Sequence, residues 1–364
     1  MRILISGYYG FNNIGDESIL TSVVENLRAH LSDIQITVLS RSPETTAERY
    51  AVTSVDRKSA FGVVSAVRRC DLLISGGGSL LQDATSKRSI LYYLAIMWLG
   101  YLFRKKVFIY SQGIGPITSG LNRRLTSWTL RRASGIVVRD GASAELLREI
   151  GVPPERVVVT ADPVLRIGRA ELSVGRAILE REGFAFTGGT VVGMAIREPK
   201  PDSEFTDELC GAIERLCGEY GARVLLIPFH YSEDLPVIEE IERRLAGKVC
   251  AVKHKYLTGE MLSIIGNMDV LVGVRLHSLI YAAVMGVPMI AISYDPKVNS
   301  FMHSLELRAM SSVYDFKSEY FIEEYERTLR ELGAIRAKLD RNIRGLIGSL
   351  DRNEAMISEI MQWT

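Results

Sequence analysis

"MDVLVGVRLHSLIYAAVMGVPMIAISYD", residues 268–295, reads as strand, helix and strand in one short span. The runs "VLVGV" and "MIAIS" are β-rich and apolar throughout, as strands buried on both faces must be, and the helical pattern between them is a crossover that sets both strands parallel. Such a unit needs only hydrocarbon at its junctions. Arg275 and His277 nevertheless stand where the first strand gives way to the helix.

The same grammar runs outward in both directions. The first half offers "RILISG", "IQITVLS", "DLLISG", "KVFIYSQG", "GIVVRD" and "RVVVTAD", with helical patterns such as 16–31 and 142–150 between them. The second half offers "TVVGMAIR", "ARVLLIPF", "KVCAVKH", "MDVLVGV" and "PMIAISYD". Alternation of this kind predicts an α/β fold with parallel, doubly wound sheets. A chain of 364 residues exceeds what one core of ~250–300 residues holds, so two domains are expected. No strand pattern occurs in "LRIGRAELSVGRAILEREGFAFTGG" (165–189), which ends on paired glycines. The expected division is an N-terminal Rossmann-like domain at 1–168, a linker at 169–189, a C-terminal Rossmann-like domain at 190–315 and charged, amphipathic helices at 316–364. Those helices pack under the second domain or cross back to the first. Two such domains face a cleft between the carboxyl ends of their strands, where α/β proteins bind ligands.

Composition excludes several classes. Net charge is +1, so no global field draws in nucleic acid, and attraction to anions must be local. Cys70, Cys210, Cys217 and Cys250 lack zinc spacing and do not form a secreted disulfide framework. The N-terminus starts directly on a strand, which predicts a cytoplasmic protein. One stretch tests that expectation: "ILYYLAIMWLGYLFRKK" (90–106) is apolar but shorter than the ~20 residues of a spanning helix. It reads either as a helix buried on all sides or as one resting on a membrane surface, with Arg104, Lys105 and Lys106 at the head groups. The basic segment "NRRLTSWTLRRAS" (122–134) suits the second reading and a solvated helix alike.

The polar residues just after each strand carry the chemistry. In "GYYGFNNIGDESIL", a Gly/Asn loop containing Asn13 opens a helix whose first turn holds Asp16 and Glu17. These acids suit the helix dipole, or one of them orients or deprotonates a hydroxyl; both readings stay open. "ISGGGSLLQD" (74–83) reads as strand, three glycines (Gly76, Gly77, Gly78) and helix, with Ser79 and Gln82 able to bond a ligand. It departs from G-x-G-x-x-G, since Leu81 stands where the third glycine belongs, and no P-loop motif occurs. "YSQGIGPI" (110–117) is a similar strand end. In the second half, Arg197, His230, Arg275, His277 and Lys297 all follow strands. Any one of them alone is more often structural. Together they predict a rim for a small polyanion, because guanidinium forks suit carboxylate and phosphate. Two residues apart, Arg275 and His277 would share one face of a strand. An imidazole beside cations is neutral until a dianion arrives, which fits a general acid. His30 and His303 read as structural and His254 as ambiguous. No H-x-x-x-H, C-x-x-C or D-x-D spacing appears, so no metal is expected.

Taken in order, "GYYGFNNIGDESI", "ISGGGSLLQD", "SQGIGP", "VVRDGAS", "ADPV" and "GVRLHSLIYAAVMGVPMIAISYDPKV" resemble the polysaccharide pyruvyltransferase family, and within it the CsaB-like branch that modifies a cell-wall polymer. The resemblance runs from about Gly7 to Phe301. It implies a GT-B-like arrangement and phosphoenolpyruvate as co-substrate, with no cofactor. It implies a 4,6-ketal on a sugar, N-acetylmannosamine of a lipid-linked secondary cell-wall polymer precursor, and a product that anchors S-layer proteins. By matched position it assigns Arg197, Arg275 and His277 to the donor, joined by His230 and Lys297 from the rim. The acceptor falls to Asn13, Gly76, Gly77, Gly78, Ser79 and Gln82, with His277, Asp16 and Glu17 as catalytic candidates. A lipid-linked acceptor also favours contact of 90–106 with the inner face of the cell membrane. Two rival readings are a GT-B glycosyltransferase with a nucleotide-sugar donor, and a two-domain anion-binding protein without turnover.

Overall fold

A computed structural model describes residues 1–84, 86, 88–197 and 204–362. The chain divides into two compact units, 1–166 with 346–364, and 167–345. The first unit begins β1 (Arg2–Tyr9), α1 (Ile14–His30), β2 (Gln35–Ser40), α2 (Pro43–Tyr50), β3 (Thr53–Asp56), α3 (Ala60–Arg69) and β4 (Leu72–Ser75). It continues with β5 (Gly78–Leu81), α4 (Ser89–Leu102), β6 (Lys106–Ile114), α5 (Gly120–Leu130), β7 (Gly135–Val138), α6 (Gly141–Glu149) and β8 (Val157–Val159). The second unit holds α7 (Leu172–Arg181), β9 (Val191–Ala195), α8 (Glu204–Glu219), β10 (Arg223–Leu226), α9 (Tyr231–Arg244), β11 (Val249–Ala251) and α10 (Thr258–Gly266). After these come β12 (Val270–Gly273), α11 (Leu276–Met285), β13 (Met289–Ser293), α12 (Pro296–Ser304), β14 (Ser311–Ser312), α13 (Ser318–Ser349) and α14 (Asp351–Gln362).

Both sheets are parallel. The first has the order β3-β2-β1-β4-β6-β7-β8, with β5 beside β6, and the second β11-β10-β9-β12-β13-β14. Strand order reverses between β1 and β4, and again between β9 and β12. These are the points where a doubly wound sheet opens toward a ligand. The apolar runs lie where continuous hydrophobic strands belong: every residue of β4, β9, β12 and β13 is buried.

Two features differ from the sequence reading, and one alternative left open there is decided. The stretch 169–189 contains α7, whose Gly175 amide donates to Ser263 Oγ in α10 at 2.6 Å, so it is packed into the second unit. The tail crosses back: α13 carries the chain into the first unit, where Tyr110 Oη donates to the Glu354 carboxylate and Arg166 Nη1 pairs with Glu354 Oε2 at 3.1 Å. β3 is a further strand that the apolar pattern does not reveal, because "TSVD" is short and polar. The four cysteines are free; Cys70 and Cys210 are buried and the other two half-buried. No helix among the described residues is long and apolar enough to cross a membrane.

Candidate active site

In the second unit, the residues that follow the strands are placed by helix starts. His230 is the N-cap of α9, Arg275 of α11 and Asp295 of α12. Each follows the carboxyl end of a parallel strand, so three helix amide ends and their dipoles accompany these side chains. Arg197 follows β9 and Arg275 follows β12; the strands pair Ala195 with Gly273 at the reversal point. The two guanidiniums meet on one carboxylate. Glu233 Oε2 accepts from Arg275 Nη2 at 2.8 Å and lies 3.6 Å from Arg197 Nη2. His230 Nδ1 is 3.8 Å from the other Glu233 oxygen. Tyr294 offers its ring to Arg197 at 5.1 Å and to Lys297 at 5.6 Å, and Lys297 Nζ pairs with Asp295 Oδ2 at 3.2 Å.

The expected rim of cations is therefore interleaved with acids. Arg275 is anchored by Asp234, which is fully buried: its Oδ1 accepts from Arg275 Nε at 3.2 Å and from Nη2. Asp234 Oδ2 accepts the Phe229 and His230 amides at 2.9 and 2.8 Å. One carboxylate thus fixes the guanidinium and the entry to α9 together. Burial lowers the His230 imidazole below its ordinary value, against the pull of Glu233 and with the help of Arg275, so it is neutral near pH 7. For Glu233, burial is the largest influence and would raise the carboxyl, but the Arg275 hydrogen bond together with the charges of Arg275, His230 and Arg197 holds it below the usual range. His277 needs a correction. It sits in the first turn of α11, while Arg275 caps that turn, so the shared strand face does not exist. The helix start brings the two residues to the same strand end instead.

In the first unit, Asp16 lies against the glycine run: its Oδ1 is 3.0 Å from where a Cβ on Gly78 would stand, and Gly78 has φ +89°. The three glycines are buried and lead into β5, not into a helix. A Cβ on Gly76 would meet Tyr9 Oη at 2.2 Å, and one on Gly77 would meet Ile19 at 2.7 Å. Packing explains them, and no helix N-terminus follows for an anion. Glu17 is also corrected. It is buried, its Oε1 accepts the Gly10 amide at 2.8 Å, and its Oε2 accepts Tyr50 Oη at 2.6 Å. That carboxylate closes a loop. Asn13 caps α1 by accepting the Gly15 amide at 3.0 Å. Ser79 Oγ accepts from Arg139 Nη2 at 3.0 Å, and Gln82 Oε1 accepts the Ala84 amide at 2.8 Å.

Several residues escaped the sequence reading. Arg139 and Asp162 form a buried pair at 2.9 Å, joining "VVRD" to "ADPV". A Cβ on Gly113 would stand 2.7 Å from the Arg139 guanidinium, which accounts for the first glycine of "SQGIGP". Glu233 and Tyr294 were legible only as neighbours of His230 and Lys297. His30 Nδ1 lies 2.9 Å from Asn26 O within α1, and His303 is in α12. His254 Nδ1 pairs with Glu182 Oε1 at 2.9 Å.

Asp83 closes the glycine stretch and accepts the Thr118 and Ser119 amides at 2.7 and 2.9 Å and Asn122 Nδ2 at 3.0 Å. Burial raises its carboxyl, but these donors outweigh burial and bring it to about 2. A depressed carboxyl stabilises the fold fully above its unfolded value of ~3.9, and that contribution is lost as pH falls through about 2. Asp83→Asn should therefore lower the melting temperature at pH 7 and flatten the acid limb of a stability-versus-pH curve between about 4 and 2. An unchanged acid limb would remove Asp83 from this role.

The comparisons with known proteins agree with this architecture. A family model described as polysaccharide pyruvyl transferase matches residues 13–296. The amylovoran biosynthesis protein AmsJ of Erwinia amylovora is 20% identical, over 86% of this chain and 88% of that protein. Among solved structures, HepE of Anabaena in complex with UDP-glucose aligns with TM-score 0.68 at 13% identity over the whole of both chains. S. aureus MnaA, in a co-structure with UDP, aligns with TM-score 0.71 at 10% identity over all of this chain and 97% of that one. At such identities the structures establish the fold alone, a two-domain α/β arrangement of the GT-B-like kind. The family match spans Asp16, Arg197, Arg275 and His277, and with it the chain belongs to the polysaccharide pyruvyl transferase family.

Proposed function

We propose that this enzyme takes the enolpyruvyl group of phosphoenolpyruvate and builds a 4,6-ketal on a sugar, releasing phosphate. The observation that carries the donor assignment is the convergence of Arg197 and Arg275 on Glu233 at the reversal point of the second sheet. Glu233 marks a place already suited to a carboxylate, and its side chain is partly exposed, so a donor carboxylate can take its position beside the two guanidiniums. The phosphate is assigned to the start of α11 and to Lys297.

In the proposed reaction, His277 protonates the methylene carbon C3. C2 becomes oxocarbenium-like, and a sugar hydroxyl adds to it. His277 recovers a proton from that hydroxyl. The C2–O bond to phosphate breaks, the second hydroxyl closes the ring on C2, and its proton leaves with the phosphate. Guanidiniums that tighten as charge develops lower the barrier. The acceptor hydroxyl is assigned to Asp16 in the first unit. Glu17 is not, since both of its oxygens are engaged. The acceptor class, N-acetylmannosamine on a lipid-linked cell-wall polymer precursor, and the S-layer anchoring role rest on the family resemblance.

Incubation with phosphoenolpyruvate and a panel of sugars, read by mass for the added pyruvyl group and by phosphate release, tests this reading. Phosphate release that needs a sugar supports it. Thermal stabilisation by a nucleotide sugar, with none by phosphoenolpyruvate, would refute it. The neighbouring acids supply a second test. Asp16→Asn should slow turnover roughly ten- to a hundredfold, the worth of a hydrogen bond to a charged group. Glu17→Gln should do the opposite, lowering stability by about 1–3 kcal/mol through its buried partners. If Glu17→Gln alone abolishes turnover at full stability, the assignment is reversed.

A further inference from the structure

The outer face of the α3–α4–α5 layer is built unlike a solvated surface. α4 contains no charged residue from Ser89 to Leu102. One side packs on the sheet through Ile90, Leu94 and Met97, while the opposite side presents Leu91, Ala95, Trp98 and Leu102 at helical spacing. A helix with one side open to water should be polar there. This one carries hydrocarbon, and Leu102 is 71% exposed. The neighbours add to it. Phe61 at the start of α3 is 87% exposed, and Leu121 and Trp128 of α5 are 64% and 48% exposed.

Charge sorts with this face. From Ala84 to Arg139 the sequence has ten lysines and arginines and no aspartate or glutamate, in a chain whose totals are 44 and 43. The segment 57–70 likewise has cations only. The last turns of α3 and α5 and the residues after them carry Arg68, Arg69, Arg131 and Arg132, and Arg104 follows α4. Contacts hold these ends side by side: Arg68 lies 5.7 Å from the Phe103 ring, Trp98 meets Trp128 edge-on at 5.9 Å, and Arg132 stacks on Trp128 at 3.9 Å. A helix dipole favours cations at a C-terminus, but it gives no reason for exposed leucine and phenylalanine beside them. An apolar groove of about 640 Å³ opens between α3 and α4, lined by Phe11, Val63, Tyr92, Ile96 and Leu99, with Arg57 at its edge.

We infer that this face docks on an anionic lipid bilayer. Phe61, Leu91, Leu102, Leu121 and Trp128 enter the head-group boundary, and the arginine edge lies on the lipid phosphates. Charge complementarity selects this occupant: a predominantly cationic rim around hydrocarbon, in which, among the described residues, Arg123 alone of the α5 arginines pairs with an acid, Glu149 at 2.8 Å, matches an anionic bilayer on both counts. The inference goes beyond the transfer reaction and does not depend on the identity of donor or acceptor.

The test is co-sedimentation of the full chain with vesicles of equal parts phosphatidylglycerol and phosphatidylcholine, and with phosphatidylcholine alone. Binding should be at least about tenfold tighter to the anionic vesicles and should weaken with salt. The double variant Phe61→Ser/Leu102→Ser should lose about tenfold or more while melting like the wild type, since both side chains are exposed. Arg68→Gln and Arg104→Gln should each lose about fivefold. The hydrocarbon variant should keep wild-type turnover on a soluble sugar, which separates failure here from failure of the transfer reading. Absence of anionic-vesicle binding would overturn the inference. So would undiminished binding by the double variant, or a dimer in solution that this variant converts to monomer.

Discussion

Replacing His277 with alanine should lower sugar-dependent phosphate release by about 10³-fold, within the range typical of a positioned acid, while phosphoenolpyruvate still raises the melting temperature. The two effects separate because the groups assigned to the donor's charges are different from the group assigned to its protonation. Arg197 and Arg275 stay in place without the imidazole, since Asp234 and Glu233 hold Arg275 and the Tyr294 ring faces Arg197. His277 stands in the first turn of α11, whose cap is Arg275, so the proposed acid and one of the proposed donor-binding cations share a single helix start. Turnover at the wild-type rate would remove His277 from proton transfer. Loss of donor binding in step with turnover would make it a binding residue.

The second large effect is expected from Asp234→Ala. This carboxylate is fully buried and holds both the Arg275 guanidinium and the amides of Phe229 and His230. Removing one partner of a buried pair leaves the other charge uncompensated, at a cost of about 3–5 kcal/mol. The melting temperature should fall by roughly 10 °C or more. Donor stabilisation should vanish as well, because Arg275 loses its anchor and the start of α9 its latch. The double variant Asp234→Leu/Arg275→Leu should recover part of the stability and none of the donor binding: the orphan guanidinium is gone, but the two amides remain unpaired. If Asp234→Ala melts with the wild type, the pair does not organise the site.

Much of this was readable in the primary structure. The β-rich runs became β1, β2, β4, β6 to β13 almost in place, and the helical patterns at 16–31 and 142–150 became α1 and α6 within two residues. Of the basic residues after the strands of the second half, His230, Arg275 and Lys297 sit at helix starts, and Arg197 follows β9 directly. Two readings failed for physical reasons, and a third lacked a distant partner. "GGGSLL" looked like a turn into a helix, but Gly78 to Leu81 pair with β6, and strand pairing is a long-range event that no local glycine spacing reports. Glu17 looked equivalent to Asp16, yet its distant partner Tyr50 turns it inward. Arg275 read as one member of a rim for a polyanion, and nothing in its local sequence showed that Asp234, 41 residues away, takes its Nε and shares its Nη2.

Period and polarity along the chain were enough to establish the kind of element at most positions, the parallel character of both sheets, and the gathering of charged side chains beyond the carboxyl ends of strands. These follow from rules that act over a few residues: side-chain alternation, helical spacing and the burial of hydrocarbon. Which charges meet was settled only in three dimensions. Arg139 with Asp162, Arg275 with Asp234, and the uncovered outer stripe of α4 all depend on strand order and on which neighbours leave a face open. A carboxylate has the same letter whether it faces a substrate or a buried tyrosine, and the tertiary structure alone distinguishes the two.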